Sequence, residues 1–243
     1  MEARYARNIP AISEDEQNIL NAKTVVVIGC GGLGGYAIEY LARLGLGKII
    51  AVDGDVFSES NMNRQLLCTT DSLGKSKAEI AVARINAINP AIEAVSICEY
   101  LTAESAAELV AGVDLVIDAL DNVESRLILE DVCENAGVTF IHGAVQGWTL
   151  QASVVTPGSR VLHSLYKASN SNSKKAGSAS TDAAEVTADT EEYASVKTCL
   201  CPTPACCASI QVAEAIKNLL GRESSLTGQV LFMDLQTMES YTI

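Results

Sequence analysis

The sequence is short of positive charge: 17 Lys and Arg stand against 30 Asp and Glu, a net charge of −13 over 243 residues. The basic residues form no cluster. Nucleic acids and anionic membranes attract proteins through clustered positive faces, so neither is an expected partner. No apolar run approaches the roughly 20 residues that a membrane helix needs. The N-terminus, MEARYARNIPAISEDEQ, lacks the apolar stretch of a secretory leader, and a cytoplasmic location is expected. Only two histidines occur, His142 and His163, with no partner at metal-binding spacing. Each reads as a structural histidine. Of the eight cysteines, Cys98, Cys133, Cys206 and Cys207 fall in apolar segments, which favours reduced thiols over a disulfide framework.

What is present is a regular alternation. Val25 to Ile28, Lys48 to Val52, Ala94 to Ile97, Asp114 to Ala119 and Thr139 to His142 read as strands from their β-branched runs. Between them, helical spacing predicts helices over Gly35 to Leu44, Ser76 to Ile88, Ala103 to Val110 and Ser125 to Ala136. Such alternation implies an α/β fold, a Rossmann-like doubly wound and mostly parallel sheet. Further on, Leu150 to Val155 and Arg160 to Leu165 flank Pro157-Gly158, which suits an antiparallel hairpin with Trp148 packed beneath it. Residues 167–198 are rich in Ser, Ala, Thr, Lys and Asp without an apolar period, and read as a polar, partly disordered crossover insertion. An apolar helix from Pro204 to Leu220 and antiparallel C-terminal strands, Val230 to Asp234 and Glu239 to Thr242, complete one expected domain over 1–243, with 1–22 as an N-terminal arm.

The chemistry-bearing motifs come in order along this frame. Gly29-x-Gly31-Gly32-x-Gly34 sits between a strand and a helix, where missing side chains let backbone N–H groups approach phosphate. Asp53 ends the second strand, where a carboxylate can take ribose hydroxyls. These two features indicate a nucleotide and fit an NAD-dependent oxidoreductase equally well. The residues beyond them discriminate: Asp55, then Ser60-Asn61-Met62-Asn63-Arg64-Gln65, then Lys77 at a helix start, then Asp118-Ala-Leu-Asp121-Asn122 with Arg126. Hydride transfer has no use for Arg64 and Lys77 converging on phosphates, whereas attack on an α-phosphate needs cations for the developing charge. A carboxylate at a strand's C-terminal end, Asp121, can hold a metal ion there. Asp118 reads as orienting a neighbour.

At these motifs, from Arg4-Tyr-Ala-Arg7 through GCGGLG, VDGD, SNMNRQ, GKSKAE and DALDN to Ser209-Ile-Gln-Val-Ala-Glu-Ala-Ile-Lys217, the sequence resembles the ThiF/MoeB/HesA family, bacterial relatives of the ubiquitin-activating enzymes. The resemblance implies ATP-dependent adenylation of the C-terminal Gly carboxylate of a small sulfur-carrier or ubiquitin-like protein ending in Gly-Gly, with release of pyrophosphate. It assigns Gly32, Asp53, Asn61, Arg64, Lys77, Asp121 and Asn122 to ATP and Mg2+. It also places Arg7 in the site of the second protomer of a homodimer, the arm leaving its own domain. A non-catalytic dimer partner that keeps the fold is a rival reading, and within the family a dehydratase acting on a modified tRNA base by the same adenylation chemistry is the alternative, which the acidic surface disfavours. Many relatives hold zinc through two Cys-x-x-Cys pairs, and neither pair is present, so no zinc is expected. Cys199 or Cys201 is the nearest counterpart of a crossover cysteine that joins the carrier through sulfur.

Overall fold

In a computed structural model that describes residues 2–167 and 198–243, eight strands form one sheet in the order β3-β2-β1-β4-β5-β6-β7-β8. The N-terminal half alternates as the sequence predicts: β1 (Thr24–Ile28), α2 (Gly32–Leu44), β2 (Lys48–Val52), α3 (Lys77–Ile88), β3 (Glu93–Ile97), α4 (Ala103–Val110), β4 (Leu115–Asp118) and α5 (Val123–Ala136), all preceded by α1 (Glu14–Leu20). β5 (Phe140–Gln146) is the last parallel strand, and β6 (Thr149–Val155), β7 (Val230–Asp234) and β8 (Glu239–Thr242) are added antiparallel. α7 (Pro202–Leu219) precedes the last two strands.

The central strands are apolar without interruption because both their faces are covered. Val25 and Val27 face α2, α3 and α7 with Ile38, Leu41, Ala81, Ile85 and Val212, while Val26 and Ile28 face α4 and α5 with Val110, Leu129 and Cys133. Val25, Val26 and Val27 are fully buried, each contributing roughly 1.5–3 kcal/mol relative to exposure. Gln211 of α7 is also fully buried, and its amide donates to the carbonyls of Asp118 at 2.8 Å and Ile141 at 3.0 Å, tying that helix to β4 and β5.

The chain leaves β1 to one side through β2 and β3 and returns to its other side at β4. The strand order therefore reverses between β1 and β4, and the C-terminal ends of these two strands open the crevice where α/β sheets bind ligands.

Three expectations are corrected. The hairpin does not turn at Pro157-Gly158. It turns at Gly147-Trp148, where Gln146 pairs with Thr149 and Gly147 takes a positive φ of 58°. Residues 161–167 form a helix, α6, because Glu130, 2% exposed, accepts the N–H groups of Leu162 and His163 at 2.9 Å and caps its start. Trp148 consequently lies at the tip of the turn, 42% exposed, rather than beneath a hairpin. The N-terminal arm packs on its own chain through Tyr5, Ile12 and Leu20, which are buried, and leaves Arg7 exposed. The polar segment 167–198 lies outside the described residues apart from its two ends.

Candidate active site

A cavity of about 530 Å³ occupies the crevice, within the size range of small-molecule sites. Its floor is the glycine loop. Gly29, with φ of +96°, passes so close to the segment after β4 that a Cβ there would stand 2.5 Å from the Ala119 carbonyl oxygen. A Cβ on Gly34 would stand 1.7 Å from the Gly29 carbonyl oxygen, so Gly34 closes the loop on itself and does not line the cavity. Gly31 is the N-cap of α2 and supplies no side-chain cap, which leaves first-turn N–H groups to an anion. Gly31 and Gly32 both line the cavity.

Asp53 anchors the loop from the neighbouring strand. Its Oδ2 accepts the Cys30 N–H at 2.7 Å and its Oδ1 the Asp55 N–H at 2.8 Å. Each carboxylate oxygen retains a second acceptor position for a ligand hydroxyl. Lys77, the first residue of α3, is 7% exposed, and its ammonium lies 2.8 Å from Asp55 Oδ2. Asp55 Oδ1 accepts from the Tyr100 hydroxyl at 2.5 Å. The Lys77 ammonium first, and then the Tyr100 hydroxyl, hold the Asp55 carboxyl below its ordinary range.

The Asn-x-x-Arg segment divides. Arg64 lines the cavity, steadied by Nη1 donating to the Ser60 carbonyl at 2.9 Å and to Asn63 Oδ1 at 2.8 Å. Gln65 lies over Gly31, 7% exposed, with its Oε1 buried and unpartnered among the described residues. Asn61 and Asn63 do not line the cavity. Asn61 caps its own turn by accepting the Ser58 N–H at 3.1 Å, and Asn63 donates to the Cys199 carbonyl at 3.1 Å.

Asp121 and Asn122 lie on the wall above β4. Asn122 is the N-cap of α5, its Oδ1 accepting the Ser125 N–H at 2.9 Å and its amide donating to Asp121 Oδ1 at 3.3 Å. Arg126, one helical turn on, was noted in the sequence without a role. It is 7% exposed and donates to the Leu120 carbonyl at 2.5 Å, the Gly143 carbonyl at 3.4 Å and the Tyr166 hydroxyl at 3.2 Å, with Nε 3.7 Å from Asp118 Oδ2. Asp118 is fully buried, accepts the Leu120 N–H at 3.0 Å and meets His142 Nδ1 at 2.7 Å. His163 is likewise tied down, to Glu130. Tyr100, Gln151 and Tyr166 line the cavity as well and carry no motif that marks them in the sequence.

Of the two cysteines considered for a sulfur linkage, Cys199 lines the cavity and Cys201 is exposed outside it. Burial pushes the Cys199 thiol above its ordinary range. Cys207 is fully buried and its thiol is raised by the same cause, as suits an apolar filler. Among the described residues no group of three His, Cys, Asp or Glu could hold a metal ion, and no helix is long and apolar enough to cross a membrane.

Arg7 is exposed and does not line the cavity. Two residues before it, Tyr5 packs against Gly45 at the C-terminal end of α2 and takes a hydrogen bond from Asn89 at the C-terminal end of α3. Those helix ends lie at the N-terminal ends of the strands, opposite the crevice.

A family model described as "ThiF family" matches residues 5–243. The chain is 33% identical over 242 residues to a "SAMP-activating enzyme E1" of Haloferax volcanii, covering 99% of this chain and 84% of that protein. It is 32% identical over 241 residues to a "Probable molybdopterin-synthase adenylyltransferase" of Porphyra purpurea, covering 97% of this chain and 58% of the relative. Among solved structures, that of E. coli MccB with ATP matches with a TM-score of 0.76 at 20% identity, over 100% of this chain and 71% of that one. At that identity the match speaks for the fold alone.

Proposed function

Because the chain belongs to the ThiF family, we propose that it uses ATP to adenylate the C-terminal Gly carboxylate of a small sulfur-carrier or ubiquitin-like protein, releasing pyrophosphate. One observation carries this reading: a buried ammonium, a guanidinium and two carboxylates, from Lys77, Arg64, Asp53 and Asp121, line one cavity around a glycine loop. Hydride transfer would leave Arg64 and Lys77 without a task.

The cavity suits ATP as co-substrate. The uncapped first turn of α2 and the buried, unpartnered Gln65 Oε1 offer donors and an acceptor that a nucleotide can meet, and Asp53 keeps acceptor positions for ribose. The carrier carboxylate is already ionised at pH 7 and needs no general base. One of its oxygens attacks the α-phosphorus, forming the acyl–phosphate bond as the bond to the bridging oxygen breaks and pyrophosphate leaves with that electron pair. Arg64 and Lys77 stabilise charge on the transferring and leaving phosphates. Asp121 would hold Mg2+, which when bound neutralises phosphate charge.

The same proposal includes a homodimer. Tyr5 holds the arm at the end of the sheet opposite its own crevice, so Arg7 would serve a second copy's phosphates rather than its own chain's. A cytoplasmic location follows from the need for ATP.

Exchange of labelled pyrophosphate into ATP, measured with candidate carriers ending in Gly-Gly, tests the reading. Exchange should require both ATP and an intact carrier terminus. Binding of a nicotinamide cofactor without binding of ATP would overturn it.

A further inference from the structure

Asp55 is a half-exposed carboxylate holding a buried cation: the Asp55 side chain is 49% exposed and that of Lys77 9%. An ion pair of this kind is weakened by water and by rotation of the carboxylate. Here the rotation is blocked. Oδ2 is engaged by Lys77 and Oδ1 by the hydroxyl of Tyr100, a residue 45 positions away in sequence, in the connection between β3 and α4.

Gly54 gives this arrangement an independent mark. It is absent from the positive-φ positions, so backbone conformation does not require glycine there. The requirement is steric: a Cβ on Gly54 would stand 2.8 Å from the Cγ and Cδ2 atoms of the Tyr100 ring and 2.8 Å from the Tyr100 backbone nitrogen. The missing side chain is what lets a ring that is 70% exposed lie across the turn and reach Asp55.

We propose that Tyr100 is a positioning residue for Lys77. By occupying the second oxygen of Asp55 it fixes the carboxylate, and through it the ammonium, so that the remaining N–H donors of Lys77 are held toward the triphosphate. The inference rests on the adenylation reading for its ligand. Lys77 is argued to meet phosphates and Tyr100 to meet none, so the contribution of Tyr100 is confined to nucleotides bearing the phosphates that Lys77 reaches.

Calorimetric titration of the full chain with ATP and with AMP tests this, using wild type, Tyr100→Phe, Asp55→Ala, the double variant and Gly54→Ala, each first checked by thermal melting for an intact fold. Tyr100→Phe should weaken ATP about fivefold, as expected for loss of a hydrogen bond to a charged group acting at one remove, and leave AMP within about twofold. It should add nothing in the Asp55→Ala background, since a residue that acts only through Asp55 has no effect once Asp55 is gone. Gly54→Ala, whose Cβ meets both the ring and the backbone nitrogen of Tyr100, should weaken ATP at least as much as Tyr100→Phe. Equal losses for ATP and AMP, additive losses in the double variant, or unchanged ATP affinity in Tyr100→Phe would each overturn the proposal. If wild type binds neither nucleotide, it is the adenylation reading that fails.

Discussion

The two halves of the sheet are built on different terms. From β1 to β4 every strand is parallel and followed by a helix, and ligand-facing groups are delivered by the main chain at strand ends: the Gly29 loop, Asp53, Asp121. Beyond β5 the strands are antiparallel, β8 is exposed along its whole length, and the cavity is lined by the strands of the β5–β6 hairpin, through Ala144, Val145, Gln146, Thr149 and Gln151, and by Thr198 and Cys199 after the polar insertion. That segment is sewn to the turn, the Gly147 N–H donating to the Thr198 carbonyl at 2.7 Å and Thr203 Oγ1 to the Gly147 carbonyl at 2.7 Å. On the adenylation reading, the first half would hold the nucleotide and the second would present hairpin and loop surface to the protein substrate.

If this division holds, the two halves should fail differently. The largest effect is expected at Gly29→Ala, which combines a strained positive φ with a Cβ driven into the Ala119 carbonyl, and should abolish ATP binding and lower Tm by several degrees in a thermal melt. Arg64→Ala and Lys77→Ala should each reduce adenylation by at least about a hundredfold while leaving the melt near wild type, in steady-state assays of pyrophosphate exchange. Loss of ATP binding with kcat unchanged would count against their assigned roles. Next comes the shared site: mixing inactive Arg7→Ala and Asp121→Ala homodimers should restore roughly a quarter of wild-type activity, because half the dimers are then mixed and each carries one site with neither defect. No recovery despite demonstrated subunit exchange would confine Arg7 to its own chain. The smallest effect belongs to the second half. Trp148→Ala should raise KM for the carrier several-fold, about 1 kcal/mol of lost contact, with KM for ATP unchanged. A shift in KM for ATP instead would erase the distinction between the halves.

Legibility in the sequence follows the same boundary. The ends of β2, β7, β8 and α4 fall where the periodicity puts them, and the glycine loop, Asp53, Lys77 and Asp121 meet in one cavity as their order implies. The strand expected over Arg160 to Leu165 is a helix over 161–167, because Val161, Leu162 and Leu165 make a short apolar run that suits strand or helix alike. The choice is made by Glu130, a residue on another helix that no local pattern connects to this one. The turn at Gly147 has no clear local signal, because Gly143 and Ala144 end the β-branched run of β5 early although the strand continues to Gln146. Tyr100 was invisible for a related reason: its role lies in a contact with Asp55 and a vacancy at Gly54, not in its neighbours along the chain. Arg126 carried a signal, one turn after the Asn122 cap, that only its buried carbonyl partners make readable.

Gly34 separates two meanings of an essential residue. It does not line the cavity, yet a Cβ there would fall on the Gly29 carbonyl, where only an α-hydrogen fits. In a genetic screen any replacement there would score with the losses at Lys77, and a map of intolerant positions would draw both as one site. Suppressors would tell them apart. A loss at Lys77 leaves a folded protein whose missing charge another cation can in principle supply, whereas a loss at Gly34 calls for a backbone that no second substitution provides.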